Sequence, residues 1–225
     1  MEDTILRRTW AEIDLDALEH NYNIARQRTG AGVKYLGVVK ADGYGHGAVE
    51  LAHQLEDKVD YFGVAIIEEA VELRRSGIKK SILILGYTSP SQDDLLISYG
   101  ITQNIYTYEM AKRLSDRAVA LGKTVHFHIG LDTGMSRVGF QDNDESVELI
   151  KKIIELPNLV LEGIFSHYAR ADELDKTTAH LQSERFDAFI DKLDNYISPK
   201  AFRRLGHEER ENYFTFTVFT LLYAP

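Results

Sequence analysis

The chain has 225 residues with 26 Lys and Arg against 35 Asp and Glu, a net charge of -9 and no basic run, which argues against a nucleic-acid ligand because such ligands are met by basic patches. Cysteine is absent, so disulfides and thiolate metal sites are excluded. Apolar residues make up 44% and charged residues 27%; with an acidic start and no long apolar stretch, a signal peptide and a membrane span are not expected, and the reading is a cytoplasmic soluble protein.

Along the chain, short β-rich apolar runs alternate with amphipathic segments. Strands are expected at 35–39, 61–65, 82–85, 103–106, 125–129 and 160–165. After the first comes Gly43, Gly45 and Gly47, a flexible turn enclosing Tyr44 and His46, and then a helix over Ala48–Leu55. Glu68 and Glu69 begin a helix that closes on Arg74, Arg75 and Gly77, the charge order that suits the macrodipole. Thr107 caps a helix with the apolar face Met110, Ala111, Leu114, Ala118 and Leu121, stopped by Gly122. Asp93-Asp94 and residues 142–145 read as solvated helix starts. Phe186, Phe189, Ile190, Leu193 and Ile197 form a last helical stripe. The end is unusual: 203–211 is strongly charged and 213–223 is a Phe/Thr-rich β-like run. That run is either an edge strand or a truncated or altered C-terminus.

Strands alternating with helices of this length imply parallel βαβ units, and six such units are legible. An α/β fold of the (βα)8 TIM-barrel type is expected, apparently incomplete or altered at the C-terminus; such barrels need roughly 250 residues. A doubly wound open sheet is the alternative, and local pattern does not separate the two.

Three strand ends carry candidate chemistry, because in a parallel barrel the C-terminal strand ends form the active face. Lys40 ends the first strand, in VVKADGYGHG. An amine drawn out of bulk water there is freed to condense with a carbonyl; the plainer alternative is a surface lysine whose stem covers apolar area. The helix N-terminus after the glycine turn offers an anion site. LDTGMSRVGF follows the fifth strand and places Arg137, a planar donor fork for a carboxylate or phenolate, or else a surface arginine beside a capped turn. FSHYAR follows the sixth and places His167, an imbdazole able to lie on a flat ring, or a satisfied rim histidine. His126 and His128 share one strand face, the spacing of a metal pair, but the sequence marks no acidic partner and no metal is expected.

Taken together, TWAEIDLDAL, VVKADGYGHG, FGVAIIEEAVELR, ILILGYT, LDTGMSRVGF, LEGIFSHYARAD and HLQSERF resemble the alanine racemase family, in family order and over about residues 9–195. The resemblance implies a barrel that binds pyridoxal 5′-phosphate (PLP), followed in the full-length enzyme by a β-rich C-terminal domain, and a homodimer. It implies that Lys40 holds PLP as a Schiff base and is one of two acid–base groups. Tyr44 would contact the cofactor phosphate. Arg137 would contact the phenolic oxygen and help bind the substrate carboxylate. His167 would lie against the pyridine ring. The implied reaction interconverts L- and D-alanine by removal and return of the α-proton, a step toward cell-wall precursors.

The sequence also departs from the family. No Asn-Ser motif follows the long helix near 195, and no Arg-x-Gly motif follows on a later strand. The whole of 1–225 reads as the cofactor barrel, with the C-terminal β domain and its opposite-face tyrosine absent. Gly130 stands where many members carry a modified lysine that positions the arginine. Serine as substrate, a non-catalytic PLP-homeostasis barrel and a PLP-independent lysine aldolase remain as alternatives.

Overall fold

A computed structural model describes residues 10–29, 33–204, 214–215 and 218–219. Its elements are α1 (Leu15–Arg28), β1 (Leu36–Val38), α2 (Lys40–Gly45), α3 (Ala48–Leu55), β2 (Tyr61–Val64), α4 (Ile67–Arg75), β3 (Ser81–Ile84), α5 (Asp93–Ser98), β4 (Thr102–Ile105), α6 (Tyr108–Leu121), β5 (Val125–Asp132), β6 (Phe140–Gln141), α7 (Asp144–Ile154), β7 (Leu159–Ser166), α8 (Thr177–Arg204), β8 (Phe214–Thr215) and β9 (Val218–Phe219).

Helix ends follow from side chains that take up orphan amides. Asp14 Oδ1 accepts from Ala17 N at 2.9 Å, Thr107 Oγ1 from Met110 N at 3.2 Å, and Asn143 Oδ1 from Ser146 N at 2.9 Å. Gly122 ends α6 at φ 61°, the left-handed conformation that glycine adopts without steric cost. The buried stripe Met110, Ala111, Leu114 and Ala118 of α6 recurs every three to four residues, so one helical face meets the sheet. Burying a leucine such as Leu114 contributes about 1.5–3 kcal/mol.

All strand pairs are parallel, in the order β8-β7-β5-β4-β3-β2-β1-β9, with β6 added beside β5. β8 pairs with β7 and β9 with β1. Two fragments separated by two residues of sequence therefore occupy the two ends of the sheet, which curls into a TIM-type barrel. Between helices and sheet lies the main core, with Phe62, Phe127, Ile84 and Leu114 fully buried. A second, smaller cluster fills the barrel itself: Leu36, Val38 and Leu83, with Tyr61, Leu85 and Phe165 packed against them.

The six expected strands each lie within a residue or so of β1–β5 and β7, except that β5 runs on to Asp132. That extension has a physical cause: β5 pairs on both sides, from Val125 against Leu159 to Leu131 against Ser166. The flexible turn after Lys40 is corrected. Ala41, Asp42, Gly43 and Tyr44 all have φ of 53–60°, and α2 is one turn of left-handed helix. Asp93 is corrected too: it starts α5 but is buried against Arg113, at 3.0 Å, rather than solvated. In the last helical stripe, Phe186, Phe189 and Leu193 are buried. The side chain of Ile197 lies outside the described residues, as do 205–211 of the charged run and most of 213–223. No helix among the described residues is long and apolar enough to cross a membrane.

Candidate active site

Lys40 follows β1, Arg137 follows β5 and His167 follows β7. Because the strands are parallel, all three stand at one mouth of the barrel. Lys40 is half-buried, and the left-handed turn after it folds Tyr44 back, so that Lys40 Nζ lies 5.8 Å from the Tyr44 ring centre. His167 stands at the rim and is exposed. Its imidazole is held below its ordinary pKa first by loss of hydration and then by the positive charges of Arg137 and Lys40. The three side chains are thus near enough at the mouth for the charges of Arg137 and Lys40 to act on the imidazole.

Two supports fix the loops that carry them. Asp132 Oδ1 accepts from Gly134 N at 2.9 Å and Ser136 N at 3.0 Å, which shapes the loop leading to Arg137. Gln182 of α8, buried among polar partners, donates to His167 O at 3.0 Å and accepts from Ala169 N at 2.9 Å. Gln182 lies in HLQSERF, where the sequence marks only Phe186, as part of an apolar stripe. Its signal is a glutamine at a buried position of an amphipathic helix, which must find partners to be tolerated there.

Beside Arg137 is a hollow of about 470 Å³, lined by Tyr106, Thr107, Asp132, Ser136, Arg137 and Gln141 among others. Arg137 itself is exposed. Among the described residues no carboxylate forms an ion pair with Lys40, Arg137 or His167. Three basic groups without a counter-ion suit a ligand that brings its own negative charge. An amine, a guanidinium, an imidazole and a phenol are together the donor set that fits a phosphorylated aromatic aldehyde: the amine for the carbonyl, the cations for phenolate and phosphate.

At the start of α3 the Ala48 amide is taken by the chain itself, donating to Asp42 Oδ1 at 2.9 Å, while the N-cap residue Gly47 supplies no side-chain cap. One expectation is corrected. His126 and His128 do have an acidic partner. Glu162 of β7 accepts from His126 Nδ1 at 2.8 Å and lies 3.9 Å from His128 Nε2. The register between β5 and β7 shifts at Phe127/His128, pairing Leu161 and then Gly163 in turn. Glu162 is thereby the extra residue of a bulge, and bulges re-aim side chains. This group lies at the opposite, N-terminal end of the barrel, and no set of three His, Asp or Glu able to hold a metal occurs among the described residues. Gly130 faces Asn104: a Cβ there would come within 2.6 Å of Asn104 Oδ1.

Known proteins resemble this chain along most of its length. The family model for the alanine racemase N-terminal domain matches residues 13–205. Alanine racemase 1 of Clostridium acetobutylicum is 46% identical over 189 residues, covering 84% of this chain and 49% of that protein. Alanine racemase of Clostridium tetani is 46% identical over 186 residues, covering 80% and 47%. The solved alanine racemase of Clostridium difficile 630 superposes with a TM-score of 0.83 at 43% identity, over 85% of this chain and 53% of that one. The chain thus spans about half the length of the curated relatives it matches. With a parallel barrel, a lysine-bearing mouth and these likenesses in hand, the chain belongs to the alanine racemase N-terminal domain family.

Proposed function

We propose that residues 1–225 form the PLP-binding barrel of an alanine racemase that works in the cytoplasm as a homodimer. The observation that carries this is the convergence of Lys40, Arg137 and His167, three basic groups without a carboxylate partner among the described residues, at the barrel's C-terminal mouth. The relatives' names favour racemisation of alanine over the homeostasis, aldolase and serine readings.

Lys40 would be the catalytic residue: its amine would hold the cofactor aldehyde at rest and, once displaced by the substrate's amine, would move the α-proton on one face of the substrate. Tyr44 would take the cofactor phosphate. His167, its pKa held below the ordinary value by loss of hydration and by its cationic neighbours, would lie against the pyridine ring. Arg137 would take the phenolic oxygen and the substrate carboxylate. PLP supplies the electron sink that makes an amino-acid α-proton removable. Inversion needs a second acid–base group on the opposite face, and Lys40 serves only one. Each such group is worth about 10²–10⁴-fold, so these 225 residues alone are expected to racemise slowly.

The test is to mix the chain with PLP, reduce with borohydride and map the adduct. A pyridoxyl group on Lys40 is expected, and Lys40→Ala removes it. An adduct on other lysines only, or on none, overturns the reading.

A further inference from the structure

The turn that follows Lys40 is conformationally expensive. Ala41, Asp42 and Tyr44 are non-glycine residues with φ between 53° and 57°, and left-handed helix costs roughly 1–2 kcal/mol per such residue. A turn of this kind persists only where surrounding contacts over-determine it. Most of its hydrogen bonds are internal. Gly43 N donates to Val39 O at 2.8 Å, Gly47 N to Asp42 O at 2.9 Å and Ala48 N to Asp42 Oδ1 at 2.9 Å. His46 Nδ1 lies 3.0 Å from Gly43 O.

One bond within the turn comes from another element. Ala41 N donates to Glu69 Oε1 at 2.7 Å. The other oxygen of the same carboxylate, Oε2, accepts from Ala65 N at 2.6 Å and Ile66 N at 3.3 Å. Glu69 sits in the first turn of α4, so it bridges the end of β2 to the peptide that immediately follows Lys40. Short bonds from backbone amides to an ionised carboxylate are about twice as strong as neutral ones. Fixing the Lys40–Ala41 peptide plane fixes the backbone angle at Lys40, and with it the direction in which the side chain leaves the strand.

We propose that Glu69 is a positioning residue: by gripping the amide of Ala41 it holds the left-handed turn and aims the Lys40 amine into the mouth. The inference rests on the role proposed above for Lys40. It needs both carboxylate oxygens. A glutamine offers one acceptor, enough for either the cap of α4 or the turn, and not for both.

The test compares the full chain with Glu69→Gln, and with Glu68→Gln as a control. Glu68 lies one residue earlier and binds Gln92 Nε2 at 2.6 Å rather than the turn. PLP is the probe. Borohydride-fixed adduct is mapped by peptide mass, the initial rate at Lys40 is taken relative to the other lysines, and thermal unfolding is followed in parallel. Glu69→Gln is expected to slow labelling of Lys40 about tenfold or more, the scale of a misdirected reacting group, while labelling of other lysines is unchanged. Glu68→Gln behaves as the unmodified chain. Wild-type labelling of Lys40 in folded Glu69→Gln overturns the inference. If the unmodified chain is not labelled at Lys40, the proposed function fails, and the Glu69 bridge is then read from the amides themselves. In that case, or if Glu69→Gln does not fold, hydrogen exchange at the Ala41 amide decides: protection supports the bridge, and exchange at the rate of an open amide refutes it.

Discussion

The two ends of this barrel handle polar groups in opposite ways. At the N-terminal floor, Glu162 accepts from His126 Nδ1 at 2.8 Å, Tyr61 Oη at 2.7 Å and Thr102 Oγ1 at 3.2 Å. Charge and donors there satisfy one another. At the C-terminal mouth, the charges of Lys40 and Arg137 act on His167, and none of the three forms an ion pair with a carboxylate among the described residues. The floor resembles a structural plug, since buried polar groups are tolerated when paired. The mouth leaves its requirement open, which is the mark of a place where a ligand completes the network.

The comparison breaks most visibly at Glu162. Replacing it by leucine leaves three donors without their shared acceptor and is expected to cost about 3 kcal/mol, read by chemical denaturation. Lys40 labelling by PLP should be untouched once the protein is folded; a parallel loss of labelling would show that floor and mouth are not independent. The same cluster sets a pH signature. His126 is raised above its ordinary 6.5 by its hydrogen bond to Glu162. Its stabilisation is complete below 6.5 and fades as pH rises through the raised value. Burial pushes His128 down to about 4; it resists protonation in the folded state, so stability falls as pH drops from 6.5 toward 4. Glu162 is driven up by burial, but hydrogen bonds from His126 and Tyr61 outweigh this and leave it lowered. Its contribution is complete above 4.5 and is lost at more acid pH. Stability from the floor should therefore peak near pH 6.5, and Glu162→Leu should erase the alkaline decline while keeping the acid one.

Gly130 sharpens the contrast between floor and mouth from the layer between them. Its missing side chain is where Asn104 Oδ1 sits, buried and without a hydrogen-bond partner among the described residues. Gly130→Ala is expected to destabilise by about 2 kcal/mol through overpacking, and Asn104→Ala in the same chain should recover most of that. Additive losses in the double variant would refute the steric pairing.

The smallest effect is one of sign. Ala41 is exposed with φ 53° and ψ 50°, so Ala41→Gly should leave stability unchanged or raise it by up to about 1 kcal/mol. Ala120 is exposed in right-handed α6, and Ala120→Gly there should cost about 1 kcal/mol. Equal losses at both positions, measured by thermal unfolding, would contradict the left-handed turn.

The sequence by itself determined the six strand–helix units, because hydrophobic period and capping chemistry are local: Thr107, Gly122 and the Met110–Leu114–Ala118 face are legible without a fold. It also marked Lys40, Arg137 and His167, since parallel strands send their ends to one mouth, while the role expected of Tyr44 rested on the family resemblance alone. Tertiary structure alone decided what those ends rest on. Glu69 reads in sequence as one more acid at a helix start, and its reach to Ala41 spans 28 positions. Glu162 reads as a polar break in a strand until a register shift against β5 turns it inward. Left-handed geometry at Ala41 and Tyr44 runs against residue preference, so no propensity could announce it; it exists because contacts distant in sequence outweigh a local cost.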